Sequence, residues 1–358
     1  MFVGFLAVLA LGATLHLLQT VLLPLAIAGL LSLMLAPLVR RLEAMHVPRY
    51  MAIMMVIGFL IVLLYFVGRL FYTSITTFTQ VIGTYMERFV SIMQELWIQL
   101  QIPMEYFPEF GWTRSLVNRI VQATGSFVNF STNLGMILLF LIFMLAESAL
   151  SWRKFQRAFP RSVNVKIGRA MTDVSRQVAR YLTIKTMISA VTGILVWLTL
   201  SAIGQDLAAL WGLFAFLLNY IPNLGSVFIM AATMILALVQ FYPEWNRIIA
   251  VWITMPLIQI LMGNILDPTL QGDQLDLSPL VILVSLVIWG WIWGITGMFL
   301  AVPLTVALKI ILDHIDSLRP FSVLMGSGRM SRSFRRHWRV SERERKVKPE
   351  KEVSKDKE

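Results

Sequence analysis

Residues 207–243 decide the fold, and they read LAALWGLFAFLLNYIPNLGSVFIMAATMILALVQFYP. The stretch contains no Asp, Glu, Lys or Arg. A helix that crosses a bilayer needs about 20 mostly apolar residues, so this stretch is longer than one simple span. Asn219, Pro222 and Asn223 interrupt it near its centre. Because proline removes an amide donor and clashes with the preceding turn, we expect a broken helix here.

Six further runs extend this pattern over the chain. Each has at least 19 residues without a charge, and they occupy 1–39, 50–68, 120–146, 186–205, 248–266 and 277–308. The 358 residues are 57% hydrophobic and 14% charged, whereas soluble domains are about 45–50% apolar and about 25% charged. The sequence therefore predicts an all-α, polytopic transmembrane helix bundle of about eight spans with broken helices. Runs of this length exclude a transmembrane β-barrel, whose strands are short and alternating.

The charge-free runs and the polar segments between them predict four parts. Residues 1–72 form N-terminal transmembrane helices, and 73–119 form an external segment of amphipathic helices. Residues 120–312 form the main transmembrane domain, which includes a cytoplasmic amphipathic helix at 153–185. Residues 313–358 form a basic cytoplasmic tail with few apolar residues, which is typical of disorder.

The distribution of Lys and Arg predicts the orientation, since short basic loops stay in the cytoplasm. The segment 40–49 has three basic residues and one acid, 147–185 has nine and two, and 309–358 has fourteen and eight. The segment 69–119 has four of each. We therefore expect both termini to be cytoplasmic and 69–119 to be external. This bias also explains the net charge of +11, so no nucleic-acid partner is expected.

Two topologies remain open for the second half of the chain. If 207–243 and 277–308 each cross once, the total is eight spans and the loop 267–276 is external. If each crosses twice, the total is ten and that loop is cytoplasmic. The loop has three acids and no basic residue, which favours the external position and eight spans.

Polar residues inside the apolar runs are the candidates for a substrate path. Many transporters bind substrate beside broken helices near the bilayer midplane, although a surface turn or a structural kink also explains the break. Asp267 follows the run 248–266, where it either meets a solute or ion or anchors a helix end. Lys185, at the start of another run, is interpreted as a residue that reaches to the membrane interface. The predicted path residues are Asn219, Tyr220, Pro222, Asn223, Gln259, Asn264 and Asp267.

Motifs for catalysis and for cofactors are missing from the sequence. There is no cysteine, no Gly-x-x-x-x-Gly-Lys and no His-Glu-x-x-His, so neither a nucleotide-binding loop nor a common zinc site is expected. The four histidines lie far apart in sequence. We predict no catalytic residues, no metal, no cofactor and no enzymatic activity.

Short motifs in fixed order between 20 and 312 carry a family resemblance. They are Pro37–Arg40, Val47–Arg49, Tyr181–Thr186, Leu210–Gly212, Asn219–Gly225, Gly263-Asn264, Asp267-Pro268, Leu277–Val281, Trp289–Trp291 and Ala301–Leu304. Together they resemble the autoinducer-2 exporter (AI-2E) family of bacterial membrane proteins. Relatives often carry Glu at the position of Asp267, and the basic tail is not part of the shared pattern.

The resemblance implies a multi-pass protein of the bacterial inner membrane with about eight helices. It implies export of a small polar solute such as autoinducer-2 or, as for some relatives, monovalent cation–proton exchange. Expected partners are the lipid bilayer and a small polar solute or ion, and a homo-oligomer is left open. A scaffold that does not transport and recruits partners through its tail is the alternative from another class.

Overall fold

The computed structural model describes residues 2–101, 134–147, 156–158, 160–271 and 276–327. These residues form helices and the turns between them. The main helices are α1 (Phe2–Leu17), α2 (Gln19–Ala44), α3 (Arg49–Gln99), α4 (Leu134–Glu147), α5 (Arg161–Ile203), α6 (Ala208–Leu218), α7 (Leu224–Phe241), α8 (Trp245–Gln259), a π-helix (Ile260–Leu266), α9 (Asp267–Gln271), α10 (Pro279–Asp313) and α11 (Arg319–Met325).

Six of the described helical segments are long and apolar enough to cross a membrane. They are α2, α3, residues 167–203 of α5, α7, the continuous stretch from α8 to α9, and α10. The helices α4 and α6 are also apolar but shorter. The predicted all-α, polytopic transmembrane bundle with broken helices is confirmed, and a total of about eight spans agrees with these helices.

The helix α3 is much longer than a membrane is thick. Its 51 residues extend about 77 Å at 1.5 Å per residue, whereas the hydrocarbon core is about 30 Å thick. The helix therefore continues well beyond the bilayer. It runs without interruption across residues 72 and 73, where the sequence predicts a domain boundary, and that boundary stays a prediction. Residues 102–133 of the predicted external segment and fourth span lie outside the described residues.

The two largest apolar clusters of the described residues lie in the core of the bundle. One joins α5, α6, α7 and α8 and includes Leu200, Ile229 and Val251, while the other joins α2, α3 and α4 and includes Ala28, Ala52 and Leu141. Ala28 and Ala52 are completely buried. Small residues of this kind let helices approach closely in a membrane, where packing rather than the hydrophobic effect holds helices together.

The stretch 207–243 folds as a hairpin of α6 and α7, called the first hairpin. Its two ends meet because the Gln240 side chain donates to the Gly204 carbonyl at 3.0 Å and accepts from the Asp206 amide at 2.9 Å. The helix α3 holds this base, since Arg88 donates to the Tyr242 carbonyl at 3.0 Å and Tyr85 donates to Asp206. The predicted break is confirmed, as α6 ends at Leu218 and α7 begins at Leu224.

The run 277–308 also turns back on itself, within α10. Trp293 and Gly294 leave helical geometry, and Gly294 has φ +64° and ψ −146°, a combination that glycine adopts without the clash that a Cβ would cause. Trp289 then donates to Thr305 at 3.3 Å, and Lys309 lies 2.7 Å from the Asp276 carboxylate. Residues 279–292 and 295–313 are therefore antiparallel limbs, and together they form the second hairpin.

The preferred position of the loop 267–276 is wrong. The sequence placed it opposite to the tail, but Asp276 contacts Lys309 and Ser327, and His314 lies 3.5 Å from Asp173. Asp276 at the end of the loop, the start of the tail and the part of α5 around Asp173 thus share one side of the bundle. The reason is that each long run returns to the side from which it entered, whereas the parity count assumed one crossing for each run.

Asp276 gives the base of the second hairpin a dependence on pH. Burial raises the pKa of this carboxyl, but hydrogen bonds from Lys309 and Ser327 outweigh burial and hold the pKa below its ordinary 3.8. A depressed pKa means that ionised Asp276 stabilises the fold above about pH 4, and that this contribution is lost as pH falls through the lower, folded-state pKa.

We therefore expect Asp276→Asn to lower the melting temperature at pH 7 and to flatten its fall in acid. Thermal unfolding of the protein in detergent between about pH 3 and pH 7 measures both effects. A variant with the melting temperature and acid profile of the wild type would show that the contact with Lys309 does not stabilise the hairpin.

Candidate functional site

A cavity of about 400 Å³ lies beside the tip of the first hairpin. Ligand pockets in proteins typically enclose about 300–1,000 Å³, so the cavity is large enough for a small solute. Its walls come from the hairpin tip, the first turns of α7, the end of α8, the π-helix and α5. The lining residues are Lys185, Asn219, Ile221, Pro222, Asn223, Ser226, Val227, Met230, Pro256, Gln259, Ile260, Gly263, Asn264 and Asp267.

The hairpin tip supplies irregular backbone to one wall. Asn223 has φ +62°, and the Leu224 amide bonds the Pro222 carbonyl at 2.7 Å in a tight turn. Backbone outside regular helix is tolerated at membrane depth where it is buried in protein or lines a water-filled cavity. The tip agrees with this rule, because Ile221 is buried and Pro222 and Asn223 line the cavity.

The helix α5 fixes the position of the tip. Asn219 donates to the Ser189 hydroxyl at 3.0 Å, and the hydroxyls of Tyr220 and Thr186 share a hydrogen bond of 2.6 Å. Ser189 is completely buried, so this contact holds the tip without competition from water. A second contact comes from the second hairpin, where the rings of Tyr220 and Phe299 lie 6.2 Å apart.

The opposite wall is an irregular part of the helix that follows the first hairpin. Pro256 lies inside α8, and the next segment, Ile260–Leu266, is a π-helix. Proline removes one helical hydrogen bond, and π-helical turns occur frequently at functional sites. Gln259 and Asn264 belong to this region and line the cavity.

An ion pair brings the two charged residues of the cavity lining together. Lys185 Nζ lies 2.7 Å from Asp267 Oδ2, and the two side chains are 5% and 19% exposed. The other oxygen, Oδ1, accepts a hydrogen bond from Gln271. Buried charges are costly unless they are paired and hydrogen-bonded, and this pair satisfies both conditions. The interpretation of Lys185 as reaching to the membrane interface is therefore wrong.

The structure brings most of the predicted path residues around this one cavity. Six of the seven predicted residues line the cavity, namely Asn219, Pro222, Asn223, Gln259, Asn264 and Asp267. The seventh, Tyr220, lies next to the cavity and contacts Thr186 instead. Their role in binding a substrate stays a prediction. The sequence analysis missed Lys185, Ser226, Met230 and Pro256. A lysine within an otherwise apolar helix is a signal for an inward-facing charge, but the sequence does not name its partner.

The described residues hold no group of three or more His, Asp or Glu that could bind a metal ion. Among the residues that line the cavity, Asp267 is the one carboxylate, and Lys185 already pairs with it. The arrangement offers amide and hydroxyl groups for hydrogen bonds, together with apolar surface from residues such as Val227, Met230 and Ile260.

The fold and the cavity define a class of protein, a polytopic helical membrane protein with a polar cavity at broken helices, which is the architecture of many transporters. Residues 3–317 match the family described as AI-2E family transporter, and the chain belongs to that family.

Curated relatives agree with this assignment. The chain is 30% identical over 312 residues to the AI-2 transport protein TqsA of Escherichia coli, which covers 85% of this chain and 89% of TqsA. It is also 30% identical to two proteins with the name "Putative transport protein". The match to the one from Borreliella burgdorferi covers 85% of this chain and 84% of that protein, and the match to the one from Haemophilus influenzae covers 90% and 95%.

Proposed function

We propose that the chain is a secondary transporter that exports a small polar solute through the cavity beside the first hairpin. The observation that carries this proposal is the cavity itself, about 400 Å³ in volume and lined at a helix break by apolar residues, four amide residues, Ser226 and one ion pair. A structural kink in a packed bundle needs no such cavity. The sequence holds no nucleotide-binding loop. We therefore propose that the energy for transport comes from an ion gradient or from the gradient of the solute itself, without a catalytic step.

The substrate we propose is a hydroxylated molecule such as autoinducer-2. The name of the relative TqsA supports this choice, and so does the chemistry of the cavity. Asn219, Asn223, Gln259 and Asn264 each offer both a donor and an acceptor, which suits the hydroxyl groups of a small polyol. We propose that the direction of transport is export from the cytoplasm.

Two alternatives are tested by the same experiment. A monovalent cation–proton exchanger would use Asp267, and a scaffold would move no solute at all. The purified protein is reconstituted into vesicles, and flux of autoinducer-2, of small polyols and of sodium is measured with and without an imposed proton or sodium gradient. Solute flux above that of empty vesicles supports the proposal, sodium flux alone supports the exchanger, and no flux of either supports the scaffold.

A matched pair of substitutions links flux to the cavity. Asn223→Ala removes an amide from the cavity lining, whereas Asn246→Ala removes one from an exposed position at the start of α8. Loss of one hydrogen bond to substrate costs about 1 kcal/mol, which corresponds to roughly a fivefold fall in flux at low substrate concentration for Asn223→Ala. Equal flux in both variants at equal abundance would remove the cavity from the transport path.

We place the chain in the bacterial inner membrane with both termini in the cytoplasm. The basic residues of 40–49, 147–185 and the tail support this orientation. Single cysteines are introduced at 95, near the end of α3, and at 340, since the chain has no cysteine of its own. In cells with a permeabilised outer membrane, an impermeant thiol reagent should label position 95 and spare position 340. The reverse pattern would invert the topology.

A further inference from the structure

We infer that Lys185 determines the charge selectivity of the cavity: its ammonium group occupies the position that a free cation would take at Asp267. The inference rests on the proposed function, because it specifies that the transported solute is uncharged. It starts from the ion pair of 2.7 Å between Lys185 Nζ and Asp267 Oδ2.

The pair leaves the lining of the cavity without net charge. Lys185 contributes one positive charge and Asp267 one negative charge, and the remaining lining residues are four amides, one serine, a glycine and apolar residues. An anion that enters is repelled by the Asp267 carboxylate, and a cation is repelled by the Lys185 ammonium. A neutral solute meets neither repulsion and can use the amides of Asn219, Asn223 and Asn264.

Lys185 competes with free cations because it cannot diffuse away. Its side chain is only 5% exposed and projects from a helix that also anchors the hairpin tip through Ser189. A tethered group acts at an effective concentration on the order of mM or higher. Gln271 donates to the second oxygen of Asp267, so a cation that approaches either carboxylate oxygen has to compete with a donor that is already bound there.

Removing the ammonium should uncover a cation site. Asp267 would then offer a carboxylate oxygen, and Gln259 and Asn264, whose side chains carry amide oxygens, line the same cavity. Carboxylate and amide oxygens are ligands for hard cations. Lys185→Met keeps the length of the side chain and deletes its charge, so it should turn a cavity for neutral solutes into one that binds sodium.

The experiment compares sodium chloride with choline chloride at equal ionic strength and follows thermal unfolding of the full-length protein in detergent by tryptophan fluorescence. When sodium is at about ten times its dissociation constant, binding should raise the melting temperature of Lys185→Met by about 2 °C. The wild type and Lys185→Arg, which keep the positive charge, should show the same melting temperature in both salts. The double variant Lys185→Met/Asp267→Asn lacks the carboxylate, so its melting temperature should also be the same in both salts.

Lys185→Gln is a second neutral variant in case Lys185→Met does not fold. Three results would overturn the inference. One is a sodium-dependent rise in the wild type as large as in the single variants. Another is a folded neutral variant that does not respond to sodium. The last is that the double variant yields folded protein while Lys185→Met and Lys185→Gln yield none in either salt. This result would mean that sodium cannot replace the ammonium. Absence of solute flux in wild-type vesicles would instead refute the proposed function, and the sodium measurement does not depend on it.

Discussion

Gly225→Ala is expected to destabilise the first hairpin by at least about 3 kcal/mol, at the upper end of the cost of overpacking. A Cβ at Gly225 would lie 1.8 Å from the Leu218 carbonyl oxygen and 2.5 Å from its carbonyl carbon. These are backbone atoms at the end of α6, so no side chain can rotate away to make room. Relief requires α6 and α7 to separate where they meet at the tip.

Gly263→Ala is the matched control, because it adds the same methyl group at a glycine of the π-helix that lines the cavity. A Cβ at Gly263 would meet no atom within 4 Å, and alanine generally stabilises helices relative to glycine. We expect the melting temperature of Gly263→Ala to equal or exceed that of the wild type, while Gly225→Ala gives little folded protein. Equal melting temperatures for the two variants would mean that the tip is more open than the structure describes.

The sequence predicts the break at the hairpin tip because the signal is local. Pro222 lacks an amide hydrogen and stands between two asparagines in an apolar run, and proline has this effect in any helix. The amphipathic patterns and apolar runs that predict the helices also lie within short stretches of sequence. The fold class and the approximate number of spans could therefore be predicted without coordinates.

The return of each long run could not be predicted, because it depends on contacts between distant residues. Gln240 bonds Gly204 and Asp206, which lie more than thirty positions earlier, and Lys309 bonds Asp276 across the whole second hairpin. A count of Lys and Arg assigns each loop to one side of the membrane. It does not detect an apolar run that enters and leaves the membrane on the same side.

The ion pair was missed for a related reason. Lys185 and Asp267 lie 82 positions apart, and the charge count assigned the lysine to a cytoplasmic segment and the aspartate to an external loop. Each residue alone has an ordinary explanation at a helix end. Only the packing of α5 against the π-helix and α9 shows that the two charges balance each other.

Asp267→Asn is expected to reduce both stability and transport because it leaves the Lys185 ammonium buried without a negative partner. Breaking a buried ion pair by removing one member costs about 3–5 kcal/mol, and the partial exposure of Asp267, 19%, favours the lower end. The asparagine can still accept a hydrogen bond but cannot neutralise the charge. Under the proposed function, an unpaired Lys185 ammonium also becomes free to donate to the amide residues of the cavity lining in place of the solute, so flux should fall at least tenfold.

The control is Asp313→Asn, which breaks the contact between Asp313 and Arg319, two side chains that are 55% and 52% exposed. Exposed pairs contribute about 0–1 kcal/mol, so stability and flux of this variant should stay close to those of the wild type.

The double variant Lys185→Met/Asp267→Asn removes both charges and should recover most of the stability that Asp267→Asn loses, since a buried pair replaced by neutral residues is often tolerated. Melting temperatures in detergent and flux in vesicles between pH 6 and pH 8 test all three variants. If Asp267→Asn is as stable and as active as Asp313→Asn, the ion pair only anchors a helix end and the cavity does not need it.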